Sequence, residues 1–262
     1  MFLTRNKNSP ILDFSLRTVL VVGASSGIGF EVANQIKHLG RNLIVAARRL
    51  SLLEENFSTN TCIELDVTNK QSVELLLEKL NKKQSFIDVV FWCPGIYTPM
   101  SYAEIDIEKA IEITNVNLTS VYLPFAKITK KWINGRDGFS HNPHWVWVSS
   151  VAGYNGLPGS CAYGPSKAAL NNLAEAAFVE LKAFNIDISI VCPGFVRTRL
   201  TEKNSFKMPF IISPAKASKE IFKGLRRGNF EIHFPKSLSI VLKLLKFLPY
   251  KFLFLITSKL LK

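Results

Sequence analysis

Cysteines are few in this sequence, and none stands close to another. Cys62, Cys93, Cys161 and Cys192 are spread along 262 residues without a CxxC pair. Disulfide frameworks and zinc sites both need paired or clustered cysteines, so neither class of protein fits. The thiols are predicted to be reduced, as is usual in a cytosolic compartment.

The sequence also lacks a recognisable leader and a linker. Residues 1–17 are polar and interrupted by Pro10 and Asp13, so they lack the apolar centre of a signal peptide and are expected to lead into the first strand. No internal repeat and no Pro/Ser-rich stretch divides the chain after residue 17. We therefore predict one domain over residues 1–235, with 47% hydrophobic residues in the whole chain to build its core. Residues 236–262 differ in composition and are treated as a tail.

Acidic residues are missing from that tail. The net charge of the chain is +13, and residues 236–262 supply six lysines and no Asp or Glu. A basic balance fits nucleic acid, an anionic membrane surface or a phosphate-bearing ligand. Because the excess is concentrated in an apolar segment rather than on a polar patch, no nucleic-acid partner is expected.

Apolar β-type runs alternate with helical patterns along the rest of the chain. Continuous apolar strands of this kind indicate a parallel sheet covered by helices on both faces. The order predicts an α/β fold, a doubly wound parallel sheet of the Rossmann type with a basic, apolar C-terminal helical tail. The predicted strands are Thr18–Val22, Asn42–Ala47, Cys62–Val67, Ile87–Cys93, Trp145–Ser150 and Asp187–Gly194. The predicted helices run from Gly27 to Gly40, over Ser72–Leu80, over about Ile107–Trp132 and from Tyr163 onward.

The loop GASSGIG connects the first strand to the first helix. Glycines there let the backbone turn tightly and approach a pyrophosphate, whose charge then lies at the positive end of the helix. A glycine triplet alone is weak evidence for nucleotide binding. Its position between a strand and a helix, however, favours a dinucleotide site. The predicted cofactor-binding residues of this loop are Gly23, Ser25, Gly27, Ile28 and Gly29.

The next two strand ends indicate which dinucleotide binds. The second strand ends at Ala47 and continues with Arg48, without the acid that selects NAD, and an arginine suits a 2′-phosphate. We therefore favour NADP over NAD, the alternative being a solvated basic turn. Asp66 and Val67 end the third strand beside the expected adenine, where the Asp66 carboxylate can accept a hydrogen bond from the adenine amine. Asp66 could equally cap the following helix.

A loop with Ser, Tyr and Lys lies between a predicted strand and helix, in the stretch from Ser149 to Lys167. Tyr163 and Lys167 are four residues apart at the start of a helix, so their side chains share a face. A phenol has a pKa of about 10, and a neighbouring ammonium is expected to lower it. Ser150 can bind the carbonyl oxygen that Tyr163 protonates.

Together these motifs resemble the short-chain dehydrogenase/reductase family in its single-domain form, over about Arg17 to Pro235. The ordered set is GASSGIG, Asp66, Asn117, Ser150, YGPSK and CPGFVRT. The resemblance implies that Tyr163 is the general acid/base, that Lys167 lowers its pKa and holds the nicotinamide ribose, and that Ser150 positions the substrate oxygen.

The resemblance assigns further residues, and one segment departs from it. Asn117 is expected to anchor a proton-relay water, while Pro193, Gly194 and Thr198 flank the nicotinamide. The family's Asn-Asn-Ala-Gly turn is replaced by WCPG, which keeps only Gly95, so the local bonding beside the cofactor is expected to differ. Pro165 inside YxxxK is tolerated because a first helical turn needs no N–H there.

Two other groups of residues carry weaker signals. His141 and His144 could hold a metal, but two histidines in a Pro-containing loop without a third ligand are expected to be solvated, and we assign no metal site. Trp132, Trp145 and Trp147 alternate with core positions and are expected to pack in the interior rather than stack on bases.

The tail predicts an amphipathic helix broken or kinked at Pro249. Its narrow polar stripe consists of Lys236, Ser239, Lys243, Lys246 and Tyr250. Lysines interrupt every window long enough to cross a bilayer, so a helix lying on the membrane surface fits better, with lysines among anionic headgroups. The alternatives are packing in a homo-oligomer or over the substrate cleft.

These observations predict an NADP-dependent oxidoreductase that interconverts a secondary alcohol and a ketone or another carbonyl, on an apolar or lipid-like small molecule. The alternative is an NADP-binding sensor or scaffold without turnover, which would have no need of Ser150, Tyr163 and Lys167. The expected location is cytoplasmic, including the inner face of a membrane.

Overall fold

Continuous apolar runs form the central strands of the sheet. In the computed structural model, which describes residues 7–39, 42–82, 86–135, 139–203 and 208–261, every residue of TVLVV at Thr18–Val22 is buried. The same holds for Asp187–Pro193. Strands buried on both faces require helices on both sides of the sheet.

Seven parallel strands form one sheet in the order β3-β2-β1-β4-β5-β6-β7. The order reverses between β1 and β4, where Val22 pairs with Ala46 on one side and Trp92 on the other. A crevice for ligands forms at the carboxyl ends of strands at such a point. The strands are β1 Thr18–Val22, β2 Asn42–Ala47, β3 Thr61–Glu64, β4 Val89–Trp92, β5 His144–Val148, β6 Asp187–Pro193 and β7 Glu231–Phe234.

Helices cover both faces of this sheet. They are α1 Gly27–Lys37, α2 Leu50–Phe57, α3 Lys70–Lys82, α4 Ile107–Thr114, α5 Ser120–Asn134, α6 Tyr163–Leu181, α7 Pro214–Arg226, α8 Lys236–Leu245 and α9 Tyr250–Thr257. A π-helical turn, Asn115–Thr119, joins α4 to α5. Short 3-10 turns lie at Val151–Gly153, Lys182–Phe184, Thr201–Lys203 and Ser258–Leu261.

The two faces of the sheet carry separate aromatic cores. On the face covered by α1 and α7, Phe14 meets Phe222 edge to face at 5.2 Å between ring centroids. On the other face, Trp132, Trp145 and Trp147 are at most 2% exposed, which confirms that they pack in the interior. The indole N–H of Trp132 donates to the Ile87 carbonyl at 2.8 Å.

The predicted doubly wound order is confirmed, with differences in detail. The third and fourth strands are shorter than predicted, and the helix expected over Ile107–Trp132 is divided by the π-helical turn. Neither α2, α7 nor β7 was predicted. The expected helix end at Gly40 lies outside the described residues.

The tail forms two helices separated at Pro249, as predicted, and the middle of its polar stripe contacts the protein. Lys243 forms an ion pair with Glu231 of β7, and Ser239 is fully buried beside His233. Lys236, Lys246 and Tyr250 of the stripe are exposed, and the contact of the tail lysines with lipid headgroups stays a prediction. In the described part of the chain, no helix combines the length and the apolar character needed to span a bilayer.

Candidate active site

A cleft of about 1270 Å³ opens at the carboxyl ends of the strands, above the reversal between β1 and β4. The residues predicted to bind cofactor or substrate come together along its walls. They are Gly23, Ser25, Gly27, Ile28, Gly29, Arg48, Asp66, Val67, Gly95, Ser150, Tyr163, Lys167, Pro193, Gly194 and Thr198. Asn117 lies directly beneath Gly95.

The glycine loop approaches its neighbours too closely for side chains. Gly23 has φ of +82°, and a Cβ there would lie 3.0 Å from the Pro94 nitrogen. A Cβ at Gly29 would lie 2.4 Å from the Gly23 carbonyl oxygen, inside van der Waals contact. The bare backbone and the amino end of α1 leave a cradle that suits a pyrophosphate.

Three arginines surround the entrance beyond β2. Arg48 and Arg199 line the cleft with Arg49, whose Nη2 donates to Ser25 Oγ at 2.9 Å. Burial, followed by the charges of Arg199 and Arg48, lowers the pKa of Arg49. The charges are thus close enough to repel one another, and an anion placed among them would relieve that repulsion.

Asp66 forms a tight turn rather than a helix cap. Its Oδ1 accepts from the Thr68 backbone N–H at 2.9 Å and the Thr68 hydroxyl at 2.7 Å. Burial alone would raise its pKa, but the Thr68 hydrogen bonds and the Arg48 charge outweigh burial and lower the pKa. Asn69 is the residue that accepts from Ser72 at the start of α3, so the capping alternative for Asp66 is wrong.

Ser150, Tyr163 and Lys167 converge at the centre of the cleft. Ser150 lies two residues after β5 and caps the 3-10 turn Val151–Gly153, and its Oγ accepts from the Ala152 N–H at 3.1 Å. Tyr163 is the first residue of α6, and Lys167 Nζ lies 5.8 Å from its ring centroid. Lys167 is 3% exposed and donates to the Val148 carbonyl at 2.9 Å. One helical turn and one loop therefore assemble all three groups.

The pKa values of this pair differ from the sequence prediction. Burial raises the pKa of Tyr163 to about 12, although a hydrogen bond with Ser150 acts in the opposite direction. Burial also lowers the pKa of Lys167 to about 8. The expected lowering of the phenol pKa is therefore wrong, because desolvation sets the direction of the shift.

Asn117 lies in the π-helical turn, and its amide group is already engaged. Oδ1 accepts from the Ile96 N–H at 2.8 Å, while Nδ2 donates to the Ile96 carbonyl at 3.0 Å and to Ser166 Oγ at 3.1 Å. The side chain thus fixes the segment after β4 against α6. Its role beside a relay water stays a prediction.

The WCPG segment is held without the amide side chains of the family turn. The Cys93 N–H donates to the Val22 carbonyl at 3.0 Å, and Cys93 packs beneath the glycine loop. A Cβ at Gly95 would lie 3.5 Å from Lys167 Nζ. Backbone bonding and the Asn117 amide therefore shape this wall of the cleft.

The segment after β6 lines two different parts of the cleft. The Gly194 N–H donates to the Phe234 carbonyl at 2.7 Å, which continues the β6–β7 pairing past Pro193. Thr198 lies at the glycine loop, with its Cγ2 3.3 Å from the place of a Cβ at Gly27. Thr198 therefore adjoins the glycine loop, and its contact with the nicotinamide stays a prediction.

The profile of the family described as short chain dehydrogenase matches residues 17–208. The chain belongs to this family. It is therefore an NAD(P)-dependent oxidoreductase with a small-molecule substrate, as the sequence predicts.

Relatives of this short chain dehydrogenase come from bacteria and animals. An uncharacterized oxidoreductase of Myxococcus xanthus is 31% identical over 90% of this chain and 94% of the relative. The 3-dehydrosphinganine reductase of Danio rerio is 32% identical over 82% of this chain and 70% of the relative. A short chain dehydrogenase/reductase of Burkholderia phymatum, solved in complex with NAD, superposes with a TM-score of 0.79 at 19% identity, over 89% of this chain and 94% of that one.

Several residues that line the cleft were not predicted from the sequence. Tyr97 meets Tyr163 edge to face at 5.0 Å between ring centroids. Arg49 could have been predicted from its position next to Arg48, whereas Arg199 and Tyr97 belong to no motif that would have indicated them. Leu238 and Leu242 reach the cleft from α8, so the alternative that placed the tail over the cleft holds for part of it.

His141 and His144, to which no metal site was assigned, lie away from the cleft. His144 is 1% exposed in β5, contacts Ser189 Oγ at 2.9 Å, and its burial lowers its pKa to about 4. The expectation that it is solvated is therefore wrong. Across the described ranges, no group of three or more His, Cys, Asp or Glu could hold a metal ion.

Proposed function

We propose that this oxidoreductase interconverts a secondary alcohol and a ketone, or another carbonyl, with NADP as its cofactor and an apolar or lipid-like compound as its substrate. The observation that carries the proposal is the convergence of Ser150, Tyr163 and Lys167 in a cleft that is lined both by an arginine cluster and by aliphatic side chains.

The arginine cluster supports NADP rather than NAD. Ala47 leaves no carboxylate at the end of β2, and Arg48, Arg49 and Arg199 line the cleft beside it. A 2′-phosphate carries the charge that would offset their mutual repulsion. The glycine loop fits the pyrophosphate, and Asp66 and Val67 line the expected adenine site.

The catalytic side chains suit proton transfer to a carbonyl oxygen. When bound, the reduced nicotinamide supplies the hydride to the carbonyl carbon. The pKa of about 12 keeps Tyr163 protonated at neutral pH, so the proton for the carbonyl oxygen is in place. Ser150 can donate a second hydrogen bond to the same oxygen, and Lys167 is close enough to orient the ribose.

The aliphatic part of the cleft lining supports an apolar substrate. Its aliphatic side chains come from three separate loops and from the tail, and they include Ile96, Leu157, Leu200, Leu238 and Leu242. A wall of this kind favours a hydrocarbon chain over a polar metabolite. The Danio rerio relative is named for the reduction of 3-dehydrosphinganine.

For the tail, we propose peripheral contact with the inner face of a membrane, with the rest of the protein in the cytoplasm. In this proposal residues 1–235 are the oxidoreductase domain and residues 236–262 the membrane-facing tail. A homo-oligomer is the competing use of the same surface.

The test is NADPH oxidation by the full chain with ketones of increasing chain length. Turnover is expected to rise with chain length, and Tyr163→Phe is expected to lower kcat by about 100- to 10,000-fold. Tyr102→Phe is the matched control, because Tyr102 is 61% exposed outside the cleft and should behave as wild type. Equal turnover by Tyr163→Phe and wild type would refute the mechanism. Tight NADPH binding without turnover of any carbonyl would favour a sensor instead.

A further inference from the structure

The tail carries a large exposed apolar surface, which we call its outer face. Ten side chains of α8, α9 and the turn between them are between 36% and 84% exposed. They are Ile240, Val241, Leu244, Phe247, Leu248, Tyr250, Phe252, Phe254, Leu255 and Ile256. Contiguous apolar surfaces of this kind mark binding sites for proteins or membranes.

The outer face exists because the helix turns its polar side inward. Lys236 donates to His233 Nε2 at 2.9 Å, and Ser239 donates to the Pro235 carbonyl at 2.9 Å. Lys243 pairs with Glu231, which also accepts a hydrogen bond from Tyr154. These polar contacts fix the orientation of α8, so the apolar side must face outward.

The charges around the outer face are all positive. Lys246, Lys251 and Lys259 are exposed and form no ion pair among the described residues. The sequence contains no Asp or Glu after Glu231. Exposed apolar side chains with unpaired lysines around them complement an anionic lipid surface.

A second copy of the chain fits this surface less well. A two-fold interface brings the same residues of both copies together. Lys246 and Lys251 of both copies would then gather at one apolar interface, without an acid from this segment to offset them. Like charges brought together in that way weaken association, whereas anionic headgroups strengthen it.

The inner side of the same tail forms a wall of the substrate cleft. Leu238 packs on Gly194 so closely that a Cβ at Gly194 would lie 2.8 Å from Leu238 Cδ2. Leu242 lines the cleft as well. Asn155 Nδ2 donates to the Leu242 carbonyl at 2.6 Å, which ties α8 to the loop that begins at Ser150. Lys259 lines the cleft from beyond α9 while remaining exposed.

The structure assigns two functions to the tail: its outer face docks on an anionic lipid bilayer, and its inner side admits an apolar substrate from that bilayer into the cleft. The docking step stands independently, whereas the entry step rests on the proposed reduction of an apolar carbonyl compound. Docking brings the wall formed by Leu238 and Leu242 next to the lipid, so a membrane-dissolved substrate need not cross water.

Docking is tested by sedimentation of the full chain with vesicles of phosphatidylcholine alone or mixed with phosphatidylglycerol. Binding to the mixed vesicles is expected, with an affinity that falls as salt rises. Lys246→Gln/Lys251→Gln should weaken it about 30-fold, since each lysine near the surface contributes on the order of fivefold. Phe247→Ser/Phe254→Ser should abolish sedimentation.

The matched control is Leu16→Ser, because Leu16 is 77% exposed but precedes β1, away from the tail. It should sediment as wild type does, and all variants should bind NADPH normally. If wild type stays in the supernatant with mixed vesicles at low salt, docking is refuted. A wild-type dimer that the Phe247→Ser/Phe254→Ser variant converts to monomer would instead assign the outer face to a second copy.

Entry is tested by comparing a long-chain ketone held in mixed vesicles with a short water-soluble ketone. Phe247→Ser/Phe254→Ser should raise KM for the vesicle-held ketone at least about tenfold and leave kcat/KM for the soluble ketone unchanged. Equal effects on both ketones, or none on either, would refute entry from the bilayer. Sedimentation without turnover of either ketone would refute the proposed reductase while leaving docking intact.

Discussion

Gly29→Ala should damage cofactor binding more than any other single methyl group added to the glycine loop. The added Cβ would lie 2.4 Å from the Gly23 carbonyl oxygen and 3.0 Å from its carbon, both backbone atoms that cannot rotate away. Overpacking of this kind costs about 1–3 kcal/mol. If this energy is spent on displacing the loop and not on destabilising the whole domain, NADPH affinity should fall about five- to 150-fold.

The matched control for Gly29→Ala is Gly156→Ala. No atom lies within 4 Å of the place where its Cβ would be, although Gly156 belongs to the loop between Ser150 and α6. NADPH titration followed by fluorescence, with thermal unfolding of both variants, separates lost binding from lost stability. Unchanged affinity in Gly29→Ala, with an unchanged melting temperature, would refute the steric account of the cradle.

Further predictions concern the cofactor, the buried histidine and the tail. Arg48→Ala/Arg49→Ala should weaken NADPH about 10-fold or more and leave NADH affinity nearly unchanged, because a charge-assisted hydrogen bond contributes about 1.5–3 kcal/mol; equal losses for both nucleotides in titrations would contradict the 2′-phosphate assignment. His144 has its pKa lowered by burial from 6.5 to about 4, so the unfolded chain binds its proton first and stability falls as pH drops from 6.5 towards 4. His144→Asn should flatten that fall in urea unfolding measured across this pH range, and an unchanged slope would show that other groups cause it. Glu231→Gln should loosen α8 because it leaves Lys243 without its ion pair, seen as faster amide hydrogen exchange over residues 236–245, and unaltered exchange would contradict the role given to this contact.

The sheet could be predicted where the sequence alone specifies burial. Thr18–Val22 and Asn42–Ala47 were predicted with their observed bounds. Each is a short, mostly apolar run, and the turn residues on either side mark where the strand begins and ends. β7 has only four residues with alternating burial, so Glu231–Phe234 gave no comparable signal. The π-helical turn at Asn115–Thr119 was equally hidden, since it changes hydrogen bonding without changing the apolar spacing.

The meeting of the three proposed catalytic residues could be predicted because local motifs place them. Tyr163 and Lys167 are one helical turn apart, and Ser150 follows a strand, so their meeting depends on short-range geometry. Arg199 comes from a distant loop, and only the folded chain brings it near Arg48 and Arg49. The pKa of Tyr163 was predicted in the wrong direction because sequence spacing does not measure burial.

The tail illustrates a limit of amphipathic patterns. A helical projection separates a polar from an apolar side, but it does not tell which side meets the protein. Glu231 and His233 supply polar partners for Lys243 and Ser239, and these contacts turn the middle of the polar stripe toward the protein. The position of Pro249 could be predicted because its effect on a helix is local.

The proposed reaction is hydride transfer from NADPH to an apolar carbonyl compound, with the proton delivered by Tyr163. Its most direct measurement is mass spectrometry of the alcohol formed from a long-chain ketone and NADPH deuterated at the transferable nicotinamide position. The account predicts one deuterium on the carbinol carbon in the wild-type product and a rate of label transfer lower by at least about 100-fold in Tyr163→Phe. Unlabelled alcohol, no alcohol, or equal rates of labelling by both proteins would contradict it.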